Sequence, residues 1–406
     1  MTTIARGLEG VVATATRLSD VDGERGHLLI GGVPVEELAP QAGFEEVLFL
    51  LWHDRLPTAA EHASVRGALA AARALPAETL ALLRAAAARG VGSMDALRMG
   101  MATLSVTDVA AGGGGAAAPL QDAIRLVACA PTIVAAYDRL RRGTEPVAPR
   151  PELGHAANYL YMLSGVLPRE DVVRALETYL NTVVDHGMNA STFTARVIAS
   201  TRSDMVSALV GAVGALKGPL HGGAPGPALD MVFEIRAAAA RRGRSLATEA
   251  EAWIRATVAS GGRIMGFGHR VYKVRDPRAE VLGAAATRLF EGAGDTGLYD
   301  DARGVEDVVL RVLREVKPGR RLETNVEFYT ALLLHGIGLE PELFTPTFAV
   351  ARTGGWTAHV LEQAAEDRLI RPAAAYVGER ARTYSRLSLR STAAVGCEAT
   401  AGCAGV

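Results

Sequence analysis

Cysteine is scarce. Cys129, Cys397 and Cys403 are the only three, and they form neither a metal-ligand cluster nor the disulfide framework of a small secreted domain. Charge of one sign is lacking too: the net charge is −1, which excludes wholesale attraction to nucleic acid or to a membrane surface. No apolar run is long enough to span a bilayer, since Met205–Leu216 is short and broken by Ser207, Gly211 and Gly214. Residues 1–6 lack the basic-then-apolar character of a signal peptide. No two histidines have the HExxH spacing of a zinc site, so no metal is expected. No Walker-type loop occurs, and Gly266-x-Gly268-x-x-Val271 lacks the third glycine and the preceding strand of a dinucleotide fingerprint. A soluble cytoplasmic enzyme is the expectation that survives.

What is present is helix-forming. Hydrophobic residues make up 49% of 406 positions and charged ones 21%, enough for a large core in one or two domains. Aromatics are only 5% and alanine is abundant, which favours helix. A small β-hairpin is expected at Gly26–Pro34, around Gly31-Gly32. Helical periodicity begins near Val47 and continues to about Ala88. Val172, Val173, Leu176, Tyr179, Leu180, Val183 and Val184 share one helical face, and Met205–Leu216 behaves likewise until Gly218-Pro219 stops it. A further helix is expected from Ala228 to about Ala240. Asp276-Pro277 reads as N-cap and first residue of a helix reaching about Phe290. Another helix opens at Thr324–Glu327. The stretches Ala110–Ala118, with four glycines, and Arg142–Leu153 read as flexible connections. The fold class expected is all-α, with a minor N-terminal hairpin.

The candidate chemistry lies in histidines and arginines. Three histidines sit in glycine-rich helix boundaries: Asp185-His186-Gly187, Leu220-His221-Gly222-Gly223, and Gly266-Phe267-Gly268-His269. A lone histidine is more often structural, so none of them decides the matter singly. Arg278, Arg352 and Arg371 lie near helix ends or turns. Guanidinium groups bind carboxylates as a bidentate fork, so arginines that converge suggest a small polycarboxylate; singly, each reads as a surface salt bridge.

Taken in order, these segments resemble the citrate synthase family. The resemblance rests on His186-x-x-Asn189-Ala190-Ser191-Thr192-Phe193, Gly218-Pro219-Leu220-His221-Gly222-Gly223-Ala224 and Met265-Gly266-Phe267-Gly268-His269-Arg270-Val271-Tyr272. Asp276-Pro277-Arg278, Asn325-Val326-Glu327-Phe328-Tyr329 and Ile370-Arg371-Pro372 complete it. It covers about Asp185 to Gly378 and is weaker in the N-terminal part, mainly Gly7-Leu8-Glu9-Gly10-Val11-Val12. It implies a large helical domain, residues 1–220 and 324–390, and a small one, 221–323, that closes over the substrates. Residues 391–406 would be a flexible tail. It implies a homodimer with shared active sites, and the chain shows no long N-terminal extension of the kind that suggests a regulated hexamer.

By the same resemblance, His221, His269 and Glu327 carry catalysis. His186, Arg278, Arg352 and Arg371 hold oxaloacetate, Arg371 coming from the partner subunit. Arg263, Ile264, Met265, Gly266 and Phe267 line the site of acetyl-CoA, a co-substrate rather than a tightly bound cofactor. The expected activity is condensation followed by thioester hydrolysis to citrate, in the tricarboxylic acid cycle. The chemistry agrees, since removing a proton from a thioester methyl needs a nearby base and a donor at the thioester oxygen. The dipole at the helix following His221 would keep that imidazole neutral. Position 327 departs from the aspartate usual in the family, and Thr324-x-x-Glu327 before an apolar run is also a capping-box signature. Three alternatives stay open: a 2-methylcitrate synthase using propionyl-CoA, a citrate-cleaving lyase, and a catalytically silent acyl-CoA-binding paralogue.

Overall fold

The computed structural model describes residues 4–106, 118–222, 225–269, 271–294, 296–384 and 386. Sixteen α-helices and one three-stranded antiparallel sheet account for its regular structure among those residues, as the all-α expectation requires. Residues Thr14–Ile370 form one compact unit. Residues 1–13 and 371–406 form another, whose described part is exposed irregular chain with one 3₁₀ turn at Arg6–Leu8.

The sheet opens the larger unit. Strands β1 (Ser19–Asp22), β2 (His27–Ile30) and β3 (Val33–Pro34) pair in chain order. The expected hairpin is β2–β3. Gly31 and Gly32 have φ of +54° and +80°, which suits a two-residue turn that needs both central residues left-handed. β1 went unpredicted because Ser-Asp-Val-Asp is polar and shows no apolar alternation.

Helices follow: α1 (Val35–Gln41), α2 (Phe44–His53), α3 (Ala59–Ala71), α4 (Ala77–Ala87), α5 (Ser93–Thr103), α6 (Ala118–Arg141) and α7 (His155–Ser164). The glycine run Gly112–Gly115 lies outside the described residues. The proline-rich connection before α7 is tethered: Arg73 Nη1 donates to the carbonyls of Arg150 and Leu153, each at 2.9 Å.

The second half is α8 (Glu170–Val183), α9 (Ala190–Ala199), α10 (Met205–Leu216), α11 (Pro225–Arg242), α12 (Leu246–Ala259), α13 (Pro277–Ala293), α14 (Gly297–Val316), α15 (Val326–Gly336) and α16 (Phe344–Glu366). Asp276 caps α13 as expected, accepting the Arg278 N–H, with Pro277 in the first turn. α16 packs against α6, α8, α9 and α10, and Val350, Ala351, Trp356 and Ala358 along it are buried. At about 1.5–3 kcal/mol for each large apolar side chain buried, such contacts fix α16 firmly. Arg352 on that helix is therefore held in place by its neighbours. No helix among the described residues is long and apolar enough to cross a membrane.

Candidate active site

Three chain segments meet at one cavity, and local structure explains each. The chain leaving α8 carries Asp185-His186-Gly187 into α9, whose N-cap Asn189 accepts the Thr192 N–H. After α10, the turn at Gly218-Pro219 is closed by the His221 N–H donating to Gly218 O at 2.9 Å. The third segment, Gly266–Gly268, pairs with residues 323–325. Gly268 N–H donates to Glu323 O at 2.7 Å and Asn325 N–H to Gly266 O at 3.0 Å. Gly266 and Gly268 have φ of +85° and +84°, which only glycine adopts easily. This pairing sets His269 beside the N-terminus of α15, where Glu327 stands.

The cavity is about 480 Å³ and is lined by His186, His221, His269, Arg278, Glu327 and Arg352, among others. A neighbouring cavity of about 650 Å³ shares Arg263, Met265, Gly268, His269 and Asn325 with it. The five residues predicted to line a CoA site, Arg263, Ile264, Met265, Gly266 and Phe267, all line this second space. Arg371 belongs to the other compact unit and is exposed. Among the described residues, no group of three or more His, Cys, Asp or Glu is placed to hold a metal ion.

Hydrogen bonds fix the histidine tautomers. His221 Nε2 lies 2.8 Å from Ser191 Oγ, a hydroxyl that can donate or accept, and the Ser191 N–H, in the first turn of α9, points at the same nitrogen at 3.3 Å. A backbone N–H can only donate, so Nε2 accepts and the proton sits on Nδ1. Burial and the charge of Arg352 push the His221 pKa down to about 4. The N-terminus of α9 thus also turns its positive end toward this ring. For His269, the N–H groups of Val271 and Tyr272 both donate to Nδ1 at 3.0 Å, so the neutral ring carries its proton on Nε2, with Arg278 Nη2 at a longer 3.4 Å from that nitrogen. Burial and Arg278 lower its pKa to about 4. Both rings are therefore neutral donors at neutral pH. His186 is also held neutral, by burial and then by Arg278 and Arg352; its Nε2 meets Tyr272 Oη at 3.0 Å.

The two buried arginines differ. Arg278 is paired with Asp276, Nε to Oδ1 at 3.0 Å and Nη2 to Oδ2 at 2.8 Å. Arg352 donates Nε to Val183 O at 2.9 Å and lies over the Phe348 ring at 4.6 Å. Its Nη1 and Nη2 make no hydrogen bond to the described residues. A buried guanidinium with a single acceptor is costly, and burial draws its pKa down to about 10 against the opposing charge of Asp185. An anion in the cavity would relieve that cost.

Glu327 faces the same space. Burial raises its pKa to about 7, against the lowering influence of Arg278. The capping-box reading of Thr324-x-x-Glu327 does not hold. Asn325 is the N-cap, its Oδ1 accepting the Glu327 N–H at 3.0 Å, while Thr324 donates to Glu306. The nearer cap wins, and the Glu327 carboxyl is left to the cavity.

Sequence reasoning missed several contributors. Lys317 and Arg320 join Arg263 around the larger cavity, and none of the three has an acidic partner among the described residues. The signal was a basic pair flanking the Pro318-Gly319 turn at the end of α14. Tyr272 stood inside a quoted motif without a role, and the Asp185–His359 contact joins residues 174 positions apart, beyond any local pattern.

Residues 7–373 match the family model described as citrate synthase, C-terminal domain. A citrate synthase of Haloferax volcanii is 40% identical over 380 residues, covering 93% of this chain and 96% of its own. A 2-methylcitrate synthase of Mycobacterium tuberculosis is 39% identical over 379 residues, covering 93% and 92%. Among solved structures, the citrate synthase of Thermoplasma acidophilum in ternary complex with carboxymethyl coenzyme A and oxaloacetate is 29% identical. It superposes with a TM-score of 0.85, covering 96% of this chain and all of its own.

Proposed function

Because the chain belongs to the citrate synthase family, we propose that its smaller cavity binds oxaloacetate and its larger one acetyl-CoA. The enzyme is an acyltransferase of the citrate synthase type, and its reaction is a condensation followed by thioester hydrolysis to citrate and CoA. One observation carries the assignment of roles. A single cavity combines a carboxyl poised near neutrality with two imidazoles fixed as neutral donors.

Glu327, ionised, takes a proton from the acetyl methyl. His221 Nδ1–H donates to the thioester oxygen as it gains enolate charge; one such donor is worth about 10²–10³ in rate. The methyl carbon then bonds to the ketone carbon of oxaloacetate, and His269 Nε2–H supports the ketone oxygen as it becomes the alcohol. Arg278, Arg352 and His186 hold the carboxylates. Water cleaves the citryl thioester, releasing CoA as its thiol. Arg263, with Lys317 and Arg320, offers positive charge to the phosphates of CoA, and Ile264–Phe267 line its path.

The proposal extends to assembly. A homodimer places Arg371 of one subunit at the oxaloacetate of the other. Residues 221–323 close as a small domain onto 1–220 and 324–390, and the working compartment is the cytoplasm.

The 2-methylcitrate synthase relative favours a second reading, with propionyl-CoA as the acyl donor. One methyl group discriminates by only about 10–200-fold. Thiol release with oxaloacetate, measured with each acyl-CoA, separates the two. We expect kcat/KM for acetyl-CoA to exceed that for propionyl-CoA by at least about tenfold. A propionyl-CoA value equal or higher would reassign the substrate.

A further inference from the structure

β1 and its turn are fastened to both sides of the smaller cavity without lining it. At one end, Ser19 Oγ accepts the Gly187 N–H at 2.8 Å and donates to Asp185 Oδ2. It thereby grips both chain neighbours of His186. Asp185 is itself locked, since its carboxylate also meets Nε2 of His359 at 3.2 Å. His359 Nδ1 lies 3.1 Å from a nitrogen of Arg196, and a guanidinium can only donate, so the His359 proton is on Nε2 and points at Asp185.

At the other end, Gly23 O accepts the Lys273 N–H at 2.8 Å. The approach is close enough that a Cβ on Gly23 would collide with Val271 O. Between Val271 and Lys273 stands Tyr272, whose hydroxyl meets His186 Nε2 and whose N–H, with that of Val271, sets the His269 tautomer. The His186 and His269 rings are 5.9 Å apart between centroids. One short strand thus ties the flanks of both rings. Its own residues add little to the core, because Ser19, Asp20, Val21 and Asp22 are exposed or half-buried.

We propose that Ser19 and Gly23 are positioning residues for the keto-dicarboxylate, β1 and the turn after it holding His186 and His269 at the spacing that substrate needs. The inference rests on the oxaloacetate reading of the cavity. A loosened imidazole costs far more in substrate recognition than in stability, since a shift near 1 Å can change rates by about a hundredfold.

The test uses Ser19→Ala, Ser19→Thr and Gly23→Ala in the full chain. Thiol-release kinetics, oxaloacetate titration calorimetry and melting temperature are measured for each. Ser19→Ala removes the hydroxyl that serves both Gly187 and Asp185, and Gly23→Ala presses on Val271. Each should raise the oxaloacetate KM about tenfold and leave the acetyl-CoA KM within about twofold. Ser19→Thr keeps the hydroxyl and should restore the wild-type value. An unchanged oxaloacetate KM and affinity in both alanine variants would overturn the proposal. So would equal rises in both KM values with a lowered melting temperature, the mark of general loosening. A wild-type chain that binds oxaloacetate but releases no thiol would refute the condensation reading alone. A wild-type chain that binds no oxaloacetate would refute both.

Discussion

At Glu327 burial sets the chemistry. The carboxyl rises from 4.5 to about 7 because its ionised form loses water, and Arg278 and Arg352 recover only part of that loss. A base must be ionised to take a proton, so kcat/KM for acetyl-CoA should fall about tenfold per pH unit below about 7. His221 and His269, at about 4, stay neutral there and add no second limb near neutrality. The stability consequence has the opposite sense. A folded-state pKa raised above the unfolded one favours the fold fully below about 4.5, and the advantage is lost as pH rises through about 7. Glutamine carries no charge to bury. Glu327→Gln should therefore melt higher than wild type at pH 8, by a margin that grows between about pH 4.5 and 7 and then levels off. Scanning calorimetry across that range checks it; a lower melting temperature at pH 8 would mean that the carboxylate is satisfied inside the fold.

Among the elements, α16 carries the most exposed commitment, because Arg352 is buried with two nitrogens open to the cavity. Arg352→Ala should raise the oxaloacetate KM at least about tenfold and change the acetyl-CoA KM much less. Titration of each substrate decides it, and equal effects would remove Arg352 from the carboxylate clamp. Much of this level was legible in the sequence. Asp276-Pro277 announced the start of α13, Gly31-Gly32 the hairpin, and the apolar face of α8 its burial. Those signals are local, so a linear reading reaches them. The cap of α15 was misplaced by one residue, since Asn325 and Thr324 both qualify by type and only the surroundings of Glu306 decide between them. The source of the neutral His221 was also out of reach. It depends on burial and on Arg352, 131 positions away, while the contact that orients the ring, with the first turn of α9, spans 30 residues. Lys317 and Arg320 carried only a weak signal, because most basic residues near a turn face solvent.

For the whole molecule, the cavity draws His221, His269 and Arg278 from residues 221–323, and His186, Glu327 and Arg352 from the rest. A ligand gripped from both sides favours a closed arrangement, so saturating oxaloacetate should reduce the radius of gyration in small-angle scattering. An unchanged value would count against the proposed small-domain motion. The family assignment covers nearly the entire chain, whereas the roles within the cavity rest on geometry. The comparison of wild type with Glu327→Gln in thiol release bears on those roles most directly. With acetyl-CoA and oxaloacetate together, wild type should release CoA thiol, and neither substrate alone should suffice. Glu327→Gln should bind oxaloacetate as wild type does yet lose at least about 10²-fold in turnover. A glutamine variant that turns over within a few-fold of wild type would contradict the assignment of Glu327 as the base.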